Sequence, residues 1–291
     1  MRVFVVVATK GRPTETGRLM TELARQTVQP ARVIVVGTSP DDVAGVTQAA
    51  PGLEIETVLA SKPGLTRQRN IGIDRLGLLA TSDIVAFFDD DFRPARDWLQ
   101  RAEATFDSDP SVVALSGRVL ADGALGEAIT ELEAELLLSD PAGDAQAVSV
   151  ADLYGCNMAI RGSLFKVVRF DEQLPLYGWL EDRDMQGRVA RYGQLVKELG
   201  CIGVHLGVKG GRISGRRFGY SQIANPLHLY RNRTIHGRMA AMLMLRALAS
   251  NLCRFPVQAR HVDYRGRLSG NGIALLDLAL RRLHPGGIQR L

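Results

Sequence analysis

Between residues 2 and 88, short apolar runs alternate with segments of helical pattern, and this alternation constrains the fold more than any other feature. The runs RVFVVVAT, RVIVVG, EIETVLA and DIVAFF have the length and composition of strands. PTETGRLMTELARQT and LTRQRNIGIDRLGLLA have helical spacing. Near-continuous apolar strands separated by helices indicate a sheet that is covered on both faces. The sequence therefore predicts an α/β fold with a mostly parallel sheet flanked by helices.

The later part of the chain has a mixed pattern. The helical segments ARDWLQRAEATF and GEAITELEAELLL and the strand VVALSGRVL are followed by a helix near residues 182–193 and a strand near 196–206. A loop rich in Gly and Arg, GVKGGRISGRRFGYSQ, comes next, and two or three helices are expected beyond Pro226. We therefore predict a first domain over residues 1–222 and a basic helical C-terminal extension over 223–291.

The net charge of +5 hides a strong asymmetry along the chain. Residues 209–291 contain 15 Lys and Arg but only two acids, a balance of +13, whereas the preceding residues contain 21 basic and 29 acidic side chains, a balance of −8. Arg231, Arg238 and Arg246 recur at helical spacing beside the apolar stretch 239–245. This pattern predicts contact with an anionic membrane surface, or else an ordinary pair of solvated helices. No nucleic-acid partner is predicted.

The remaining composition points to the cytoplasm. The three cysteines form no CxxC pair, so neither a disulfide framework nor a zinc site is indicated. MRVFVVVATKGRP has the pattern of a first strand rather than of a signal peptide. The apolar stretch 239–245 is far below the roughly 20 residues that span a bilayer. We expect a cytoplasmic protein, either soluble or peripheral on the cytoplasmic face of the membrane.

The segment VAFFDDDFRP places Asp89, Asp90 and Asp91 directly after an apolar run. Such acids are often solvated loop residues or helix caps, but Pro94 suits the first position of a helix, which would make Arg93 the cap. On an extended chain Asp89 and Asp91 point the same way and could share one divalent cation. Oxygen ligands with open positions suit Mn²⁺ or Mg²⁺ bound together with a diphosphate.

A second acidic group lies in LYGWLEDRD, where Glu181 and Asp182 open a helix. Acids in the first turn of a helix also offset its dipole, which is the simpler explanation. Tyr177 and Trp179, however, have flat apolar rings of the kind that stack on sugars, and a carboxylate beside them could act as a general base. His205 follows an apolar strand and is either a packed histidine or a metal ligand, since spacing alone does not decide.

Together, these motifs resemble those of inverting family 2 glycosyltransferases of the GT-A fold, from Arg2 to about Gln222. VATKGRP resembles the opening strand and turn, GLTRQRNIGI the arginine-asparagine element, and FFDDDFRP the DxD motif. GCNMAIRGSLF is similar to the mid-domain segment, and GWLEDRD to the paired acidic motif. The loop VHLGVKGGRISGRRFGYSQ is similar to that of bacterial exopolysaccharide glycosyltransferases. The resemblance implies a Rossmann-like sheet.

The resemblance also implies where a nucleotide-sugar donor binds. Thr9 and Arg12 would line the nucleotide pocket, and Arg69 and Asn70 would contact the nucleoside or the diphosphate. The chain departs from the family pattern after its second strand, where VIVVGTSP lacks the acidic residue that relatives often have. The missing acidic residue bears on how the nucleotide base is selected. Uracil is the base that the resemblance implies.

The acidic motifs receive their roles from the same resemblance. Asp89 and Asp90 would lie against the ribose and the donor sugar, while Asp91 would hold Mn²⁺ or Mg²⁺, joined by His205. Asp182 would be the catalytic base. On the acceptor side we expect Trp179, whose flat ring could stack on a sugar, and Glu181, which would support the loop or bind acceptor hydroxyls.

The implied activity is transfer of a hexosyl group, with inversion, from a UDP-linked sugar to a hydroxyl of a glycan or a lipid-diphosphate-linked acceptor in cell-surface or exopolysaccharide synthesis. Two alternatives share the fold: a noncatalytic glycan- or membrane-binding protein and a sugar-nucleotide pyrophosphorylase. The second should have a glycine-rich loop near Thr9, where only Gly11 is present. A dehydrogenase is not indicated, because ATKGRPTE lacks the GxGxxG pattern.

Overall fold

The computed structural model describes residues 1–124, 126–139, 147–149, 152–210, 213–256 and 262–291. The chain forms two compact units. The first unit comprises Met1–Lys62, Gln68–Arg169 and Val189–Gly211, and the second unit comprises Pro63–Arg67, Phe170–Arg188 and Arg212–Leu291. The expected domain limits, 1–222 and 223–291, stay a prediction.

The described residues contain nine strands and eight α-helices. The strands are β1 (Val3–Ala8), β2 (Arg32–Gly37), β3 (Ile55–Leu59), β4 (Ile84–Asp89), β5 (Phe92–Pro94), β6 (Val112–Asp122), β7 (Ala147–Ser149), β8 (Asn157–Arg161) and β9 (Gln194–His205). The helices are α1 (Pro13–Ala24), α2 (Leu65–Leu76), α3 (Trp98–Ser108), α4 (Glu131–Ser139), α5 (Glu181–Val189), α6 (Gly215–Arg231), α7 (Gly237–Arg254) and α8 (Tyr264–Ala279).

All nine strands belong to one sheet in the first unit, ordered β3-β2-β1-β4-β8-β6-β9-β5, with β7 paired to β9. The strands β1 to β4 pair in parallel. Strand β8 is antiparallel to both β4 and β6, while β6 and β9 are parallel, so the sheet is mixed. The predicted α/β fold with a helical C-terminal region is confirmed.

Aromatic packing fixes the end of β4 on which the acidic turn is built. Phe88 stacks on Phe92 with ring centroids 5.5 Å apart and meets Trp98 edge-on at 4.8 Å. All three side chains are fully buried in the main apolar core of the first unit. Since the two stacked phenylalanines flank Asp89–Asp91, the turn is anchored at both ends by core contacts.

The expected helix start at Pro94 is wrong. Phe92–Pro94 forms strand β5, which pairs antiparallel with β9, and helix α3 begins only at Trp98 with Asp97 in the N-cap position. Strand β5 lies at the edge of the sheet, where a proline without an N–H is tolerated. Arg93 is not a helix cap but donates two hydrogen bonds to Glu131, of 2.9 and 2.7 Å.

The second unit is mainly helical, and small residues set the distance between two of its helices. A Cβ atom built at Gly219 in α6 would overlap the carbonyl oxygen of Arg267, and one at Gly270 in α8 would overlap that of Arg216. The backbones of α6 and α8 therefore pack in direct contact. The Asn271 side chain of α8 also donates a 2.7 Å hydrogen bond to the Gly219 carbonyl.

The expectation that Arg231, Arg238 and Arg246 share one helical face is also wrong. Helix α6 ends at Arg231, and α7 begins at Gly237 after a turn in which Arg233 has a φ of 58°. Only the second and third of these arginines lie on the same helix. Among the described helices, none is long and apolar enough to cross a bilayer.

We predict that Gly270→Ala lowers the free energy of unfolding by about 1–3 kcal/mol, because the methyl group forces α6 and α8 apart. Gly272→Ala on the same helix is the matched control, since a Cβ there meets nothing within 4 Å. Alanine should stabilise that position by up to about 1 kcal/mol. Chemical denaturation of both variants measures the difference. Equal stabilities for the two would contradict the close helix contact.

Candidate functional site

Two carboxylates and an imidazole meet at one end of the sheet in the first unit. Asp89 ends β4, Asp91 lies in the turn that follows, and His205 ends β9. The His205 Nε2 atom is 3.3 Å from Asp91 Oδ1 and 3.9 Å from Asp89 Oδ2. One candidate ligand atom from each of the three residues lies within 4.8 Å of the others.

This donor set fits a hard divalent cation. Carboxylate oxygens with one imidazole nitrogen suit Mg²⁺ or Mn²⁺, and three protein ligands leave positions open for substrate oxygens. Asp91 is buried, and its Oδ2 atom accepts a 2.8 Å hydrogen bond from the Val208 backbone N–H, which fixes the carboxylate plane. Asp89 is the most exposed of the three and is open to solvent on one side.

The pairing of β5 with β9 brings His205 to the acids. In this ladder Phe92 lies opposite His205, and the backbone N–H of Leu206 donates to the Asp91 carbonyl at 3.0 Å. Asp91 is therefore next to the residue that pairs with His205. The candidate ligands Asp89 and Asp91 come together around a turn rather than along the extended chain assumed from their spacing.

Asp122 and Tyr154 hold His205 in place, and nothing in the sequence singled them out. His205 Nδ1 is 2.9 Å from Asp122 Oδ1, and Tyr154 donates its hydroxyl to Asp122 Oδ2 at 2.7 Å. An ionised carboxylate only accepts hydrogen bonds, so Nδ1 carries a proton whether the ring is neutral or charged, and Nε2 faces Asp89 and Asp91. A carboxylate bonded to the far nitrogen is the usual support for a metal-ligating histidine.

The buried acids differ in charge state. Burial raises the pKa of Asp90 to about 7, and the charge of Asp91 adds to this effect. Burial would raise the pKa of Asp91 too, but the hydrogen bond and charge of His205, together with Arg12, hold it below its usual range. Burial disfavours a charged His205, yet hydrogen bonds to Asp122 and Asp91 raise its pKa to about 10. Asp91, not Asp90, is the fully ionised carboxylate of this pair.

Thr9 and Arg12 lie against the same acidic turn. Thr9 donates its hydroxyl to Asp90 Oδ2 at 2.8 Å and accepts a hydrogen bond from Thr16 at 2.9 Å. Arg12 Nη1 is 3.0 Å from an oxygen of Asp90 and 3.0 Å from an oxygen of Asp91. The guanidinium thus supplies positive charge to both buried carboxylates, which raises its own pKa against the effect of burial.

Helix α2 brings Arg69 to the other side of the turn. Its Nη2 atom donates to Asp89 Oδ1 at 3.0 Å and to the Gly155 carbonyl at 2.8 Å, and the side chain is only 1% exposed. Asn70 follows it on the helix and is also buried. The preceding residue, Gln68, was not expected at the site, yet it donates to the carbonyls of Thr9 and Val36.

Asp42 joins the loops after β1 and β2 and was also missed from the sequence. Its Oδ1 atom accepts a 2.7 Å hydrogen bond from the Gly11 backbone, and Oδ2 accepts 2.7 Å bonds from the backbone and hydroxyl of Thr38. These bonds lower the pKa of Asp42 although burial acts against them. No acidic residue follows β2 directly, but Asp42, four residues after Thr38, supplies a carboxylate that orders this loop.

In the second unit, Glu181 begins α5 and Asp182 follows in its first turn, where Asp182 Oδ1 accepts a 2.7 Å bond from the Arg183 backbone. The preceding loop has left-handed backbone at Leu176 and Leu180, with φ of 60° and 72°. Such angles are costly for residues with a branched side chain and recur at functional loops. The catalytic role of Asp182 stays a prediction.

The aromatic residues of this loop pack on helix α6. The rings of Trp179 and Tyr177 lie 5.7 and 6.2 Å from the ring of Phe218, and Asn225 donates to the Trp179 carbonyl at 2.7 Å. Tyr177 is 55% exposed and Trp179 is partly exposed. The loop therefore exposes aromatic surface, while its backbone is held by the hydrogen bond from Asn225 of α6.

Residues 4–169 match the sequence profile described as Glycosyl transferase family 2. This match covers more than half of the chain and includes Thr9, Arg69 and the acidic turn. The chain belongs to glycosyl transferase family 2. His205 lies beyond the matched residues. Among curated proteins, none matches the sequence of the chain.

Solved structures of several glycosyltransferases are similar to this family 2 protein. TarS of S. aureus, residues 1–349 in complex with UDP-GlcNAc, has 16% identity and a TM-score of 0.56, with 88% of this chain and 73% of that chain covered. The mannosyltransferase PcManGT from Pyrobaculum calidifontis, in complex with GDP-Man and Mn²⁺, has 16% identity and a TM-score of 0.55, with 97% and 87% covered.

GalNAc-T7 with UDP, GalNAc and Mn²⁺ has 13% identity and a TM-score of 0.59, with 98% of this chain and 58% of that chain covered. The chain spans 44% of a longer TarS structure, at 18% identity and a TM-score of 0.56. At these identities the likeness concerns the fold, and it confirms the GT-A architecture of the family 2 domain.

We predict that Asp122→Asn lowers the affinity for Mn²⁺ by about 10- to 100-fold, the usual effect of losing the carboxylate behind a ligating histidine. Calorimetric titration of Mn²⁺ measures the affinity, and electron spin echo modulation from the imidazole nitrogen reports whether His205 still ligates. Asp107→Asn, an exposed acid of α3, is the control. Unchanged affinity and unchanged nitrogen modulation in Asp122→Asn would exclude a positioning role for Asp122.

Proposed function

We propose that the protein is a metal-dependent inverting glycosyltransferase that moves a hexosyl group from a UDP-linked sugar to a hydroxyl of a glycan or a lipid-diphosphate-linked acceptor. The observation that carries this proposal is the group Asp89, Asp91 and His205, formed at the sheet end of a family 2 domain. Ligands of similar structures support it, because those structures are complexes with UDP-GlcNAc, with UDP, or with GDP-Man and Mn²⁺.

For the donor, we propose that Asp89, Asp91 and His205 hold Mn²⁺ or Mg²⁺ and that Asp90 faces the ribose and the sugar. When bound, a divalent cation neutralises the charge that develops on the leaving diphosphate. Thr9, Arg12, Arg69 and Asn70 are the remaining residues proposed to contact the nucleotide. Ion pairs support this assignment. Arg12 pairs with Asp90 and Asp91, and Arg69 pairs with Asp89, so both arginines lie at the acidic turn.

For the chemical step, we propose that Asp182 accepts the proton of the acceptor hydroxyl while that oxygen attacks the anomeric carbon. The bond from the anomeric carbon to the diphosphate oxygen breaks as the new glycosidic bond forms, so the configuration inverts without a covalent enzyme intermediate. Trp179 and Glu181 are the proposed acceptor contacts. Their support is local: the aromatic surface beside Phe218 and the strained backbone that precedes α5.

The biological setting follows from the resemblance of the basic loop after His205 to that of bacterial exopolysaccharide glycosyltransferases. Within this loop Lys209 donates to the carbonyls of Gly123 at 2.5 Å and Gly126 at 2.6 Å. Residues 211 and 212 of the loop lie outside the described residues. We propose synthesis of a cell-surface or exopolysaccharide glycan in the cytoplasm or on the cytoplasmic face of the membrane.

A panel of nucleotide sugars tests the donor, because a ligand that binds only the native state raises the melting temperature. We expect a UDP-sugar to stabilise the protein in the presence of Mn²⁺ or Mg²⁺ and to do so much less in chelator.

Asp91→Ala should lose this metal-dependent shift and all transfer, because an ionised, oriented metal ligand is removed. Unchanged activity of Asp91→Ala, or wild-type rates in chelator, would overturn the metal-dependent mechanism.

We predict that Asp182→Asn keeps the affinity for donor and metal but lowers turnover by about 10²-fold or more, because the amide keeps the size of the side chain and loses its basicity. Steady-state kinetics at saturating donor, combined with the thermal shift by donor and metal, separates turnover from binding. Loss of donor affinity at intact turnover would assign Asp182 to binding and make Glu181 the next candidate for the base.

A further inference from the structure

Helix α7 of the second unit is apolar on two opposite sides. Its inner side, with Ala240 and Ala247, is buried. Its outer side carries Met242, Leu245 and Leu252, which are 42%, 65% and 64% exposed. These three residues recur at spacings of three and seven, so they lie on one face of the helix.

The last part of α8 also exposes leucines. Leu275 and Leu276 are 42% and 55% exposed, and Leu280, the C-cap residue, is 54% exposed, whereas Ala274 is buried. We call the exposed large apolar residues of the two helices and of their C-caps the outer leucine face: Met242, Leu245, Leu252, Phe255, Leu275, Leu276, Leu278 and Leu280. Isolated exposed leucines are ordinary on soluble proteins, but such a concentration on two adjacent elements marks a binding surface.

A buried amide network holds α7 and α8 to the body of the second unit. Asn251 of α7 donates 2.7 Å hydrogen bonds to Gln222 of α6 and to Asn271 of α8. All three residues are buried. Because sliding or rotation of either helix would leave these amides without partners, the outward orientation of the apolar side chains is fixed.

The positive charge of this region indicates an anionic binding partner for the outer leucine face. Residues 228–256 contain five arginines and no acidic residue. Arg238, Met242 and Arg246 follow each other at spacings of four, which places Arg238 among the exposed apolar residues of α7 and Arg246 beside them. Of the two acids beyond residue 209, Asp277 is buried and accepts hydrogen bonds from Tyr220, Arg282 and Arg290, and Asp263 caps α8.

We propose that the outer leucine face, with Arg238 and Arg246, docks on the surface of an anionic lipid bilayer. Leucine side chains bordered by arginines and no carboxylates are the composition of helices that lie in the membrane interface, where the apolar side enters the acyl boundary and the cations meet the headgroups. The inference rests on the proposed function in one respect: membrane docking would bring the enzyme to a lipid-linked acceptor. Its physical basis in the second unit is independent of the metal site.

Cys253 makes this contact directly measurable. It is exposed and follows Leu252 on the outer side of α7, whereas Cys156 and Cys201 are buried. An environment-sensitive fluorophore attached to Cys253 should shift to shorter emission wavelength when vesicles of phosphatidylcholine with phosphatidylglycerol are added. Vesicles of phosphatidylcholine alone should bind the chain several-fold less tightly, because the arginines then meet no anionic headgroups.

The decisive experiment is co-sedimentation of the full chain with both kinds of vesicle at low and high salt. Leu245→Glu combined with Leu252→Glu should weaken binding to anionic vesicles at least about tenfold. Arg238→Ala combined with Arg246→Ala should weaken it by about fivefold for each arginine and reduce the salt dependence. The matched control is Leu132→Glu with Leu136→Glu on α4, two leucines of equal exposure, 66% and 65%, in the first unit.

Retained binding in the α4 variant and lost binding in the α7 variants would support the proposal. It would be overturned by equal binding to neutral and anionic vesicles, by equal loss in the α4 control, or by vesicle-independent dimerisation that the α7 leucine substitutions abolish, which would assign the face to a second copy of the chain. The metal-dependent thermal shift by a UDP-sugar should be unchanged in every variant. Failure of that shift in the wild-type protein would instead count against the proposed transferase and leave the membrane face standing.

Discussion

The antiparallel pairing of β5 with β9 is the contact on which the candidate site depends. It places His205 opposite Phe92, and therefore next to Asp91, and its geometry is held by the stack of Phe92 on Phe88. The core and the site are thus coupled through a few residues. A change in the packing of Phe88, Phe92 or Trp98 would move two candidate metal ligands relative to the third.

The acidic turn also shows how a protein can hold several carboxylates in a small buried volume. Each acid has a different counterpart: Asp89 faces Arg69, Asp90 receives the Thr9 hydroxyl, and Asp91 receives the Val208 N–H. Arg12 connects the last two. Since an unpaired buried carboxylate would simply take up a proton, this division of partners is what keeps at least Asp91 ionised and able to ligate.

The sequence predicted local features well and contacts between distant residues poorly. Strand β2 begins and ends where its apolar run does, because a buried strand of a parallel sheet is apolar at nearly every position. The helix start predicted at Pro94 was wrong because proline suits both a first helical turn and an edge strand. Only the pairing with β9 distinguishes the two. Asp122, at the end of a strand that looked unremarkable, could not be assigned to His205 without the register between β6 and β9. Arg231 was misassigned because the turn before α7 has no proline to mark it.

The two edges of the sheet have a consequence for how this protein behaves in a crowded solution. At one edge, β5 and β7 both pair with β9; each is only three residues long, and β5 ends in Pro94, which has no N–H to offer a neighbouring chain. At the other edge, β3 carries Glu56, which forms an ion pair with Arg32 of β2. Short, proline-terminated or charged edges discourage the strand-to-strand association that begins aggregation. Pro94 thus makes this edge of the sheet a poor template for a further strand, which favours the colloidal stability of the protein.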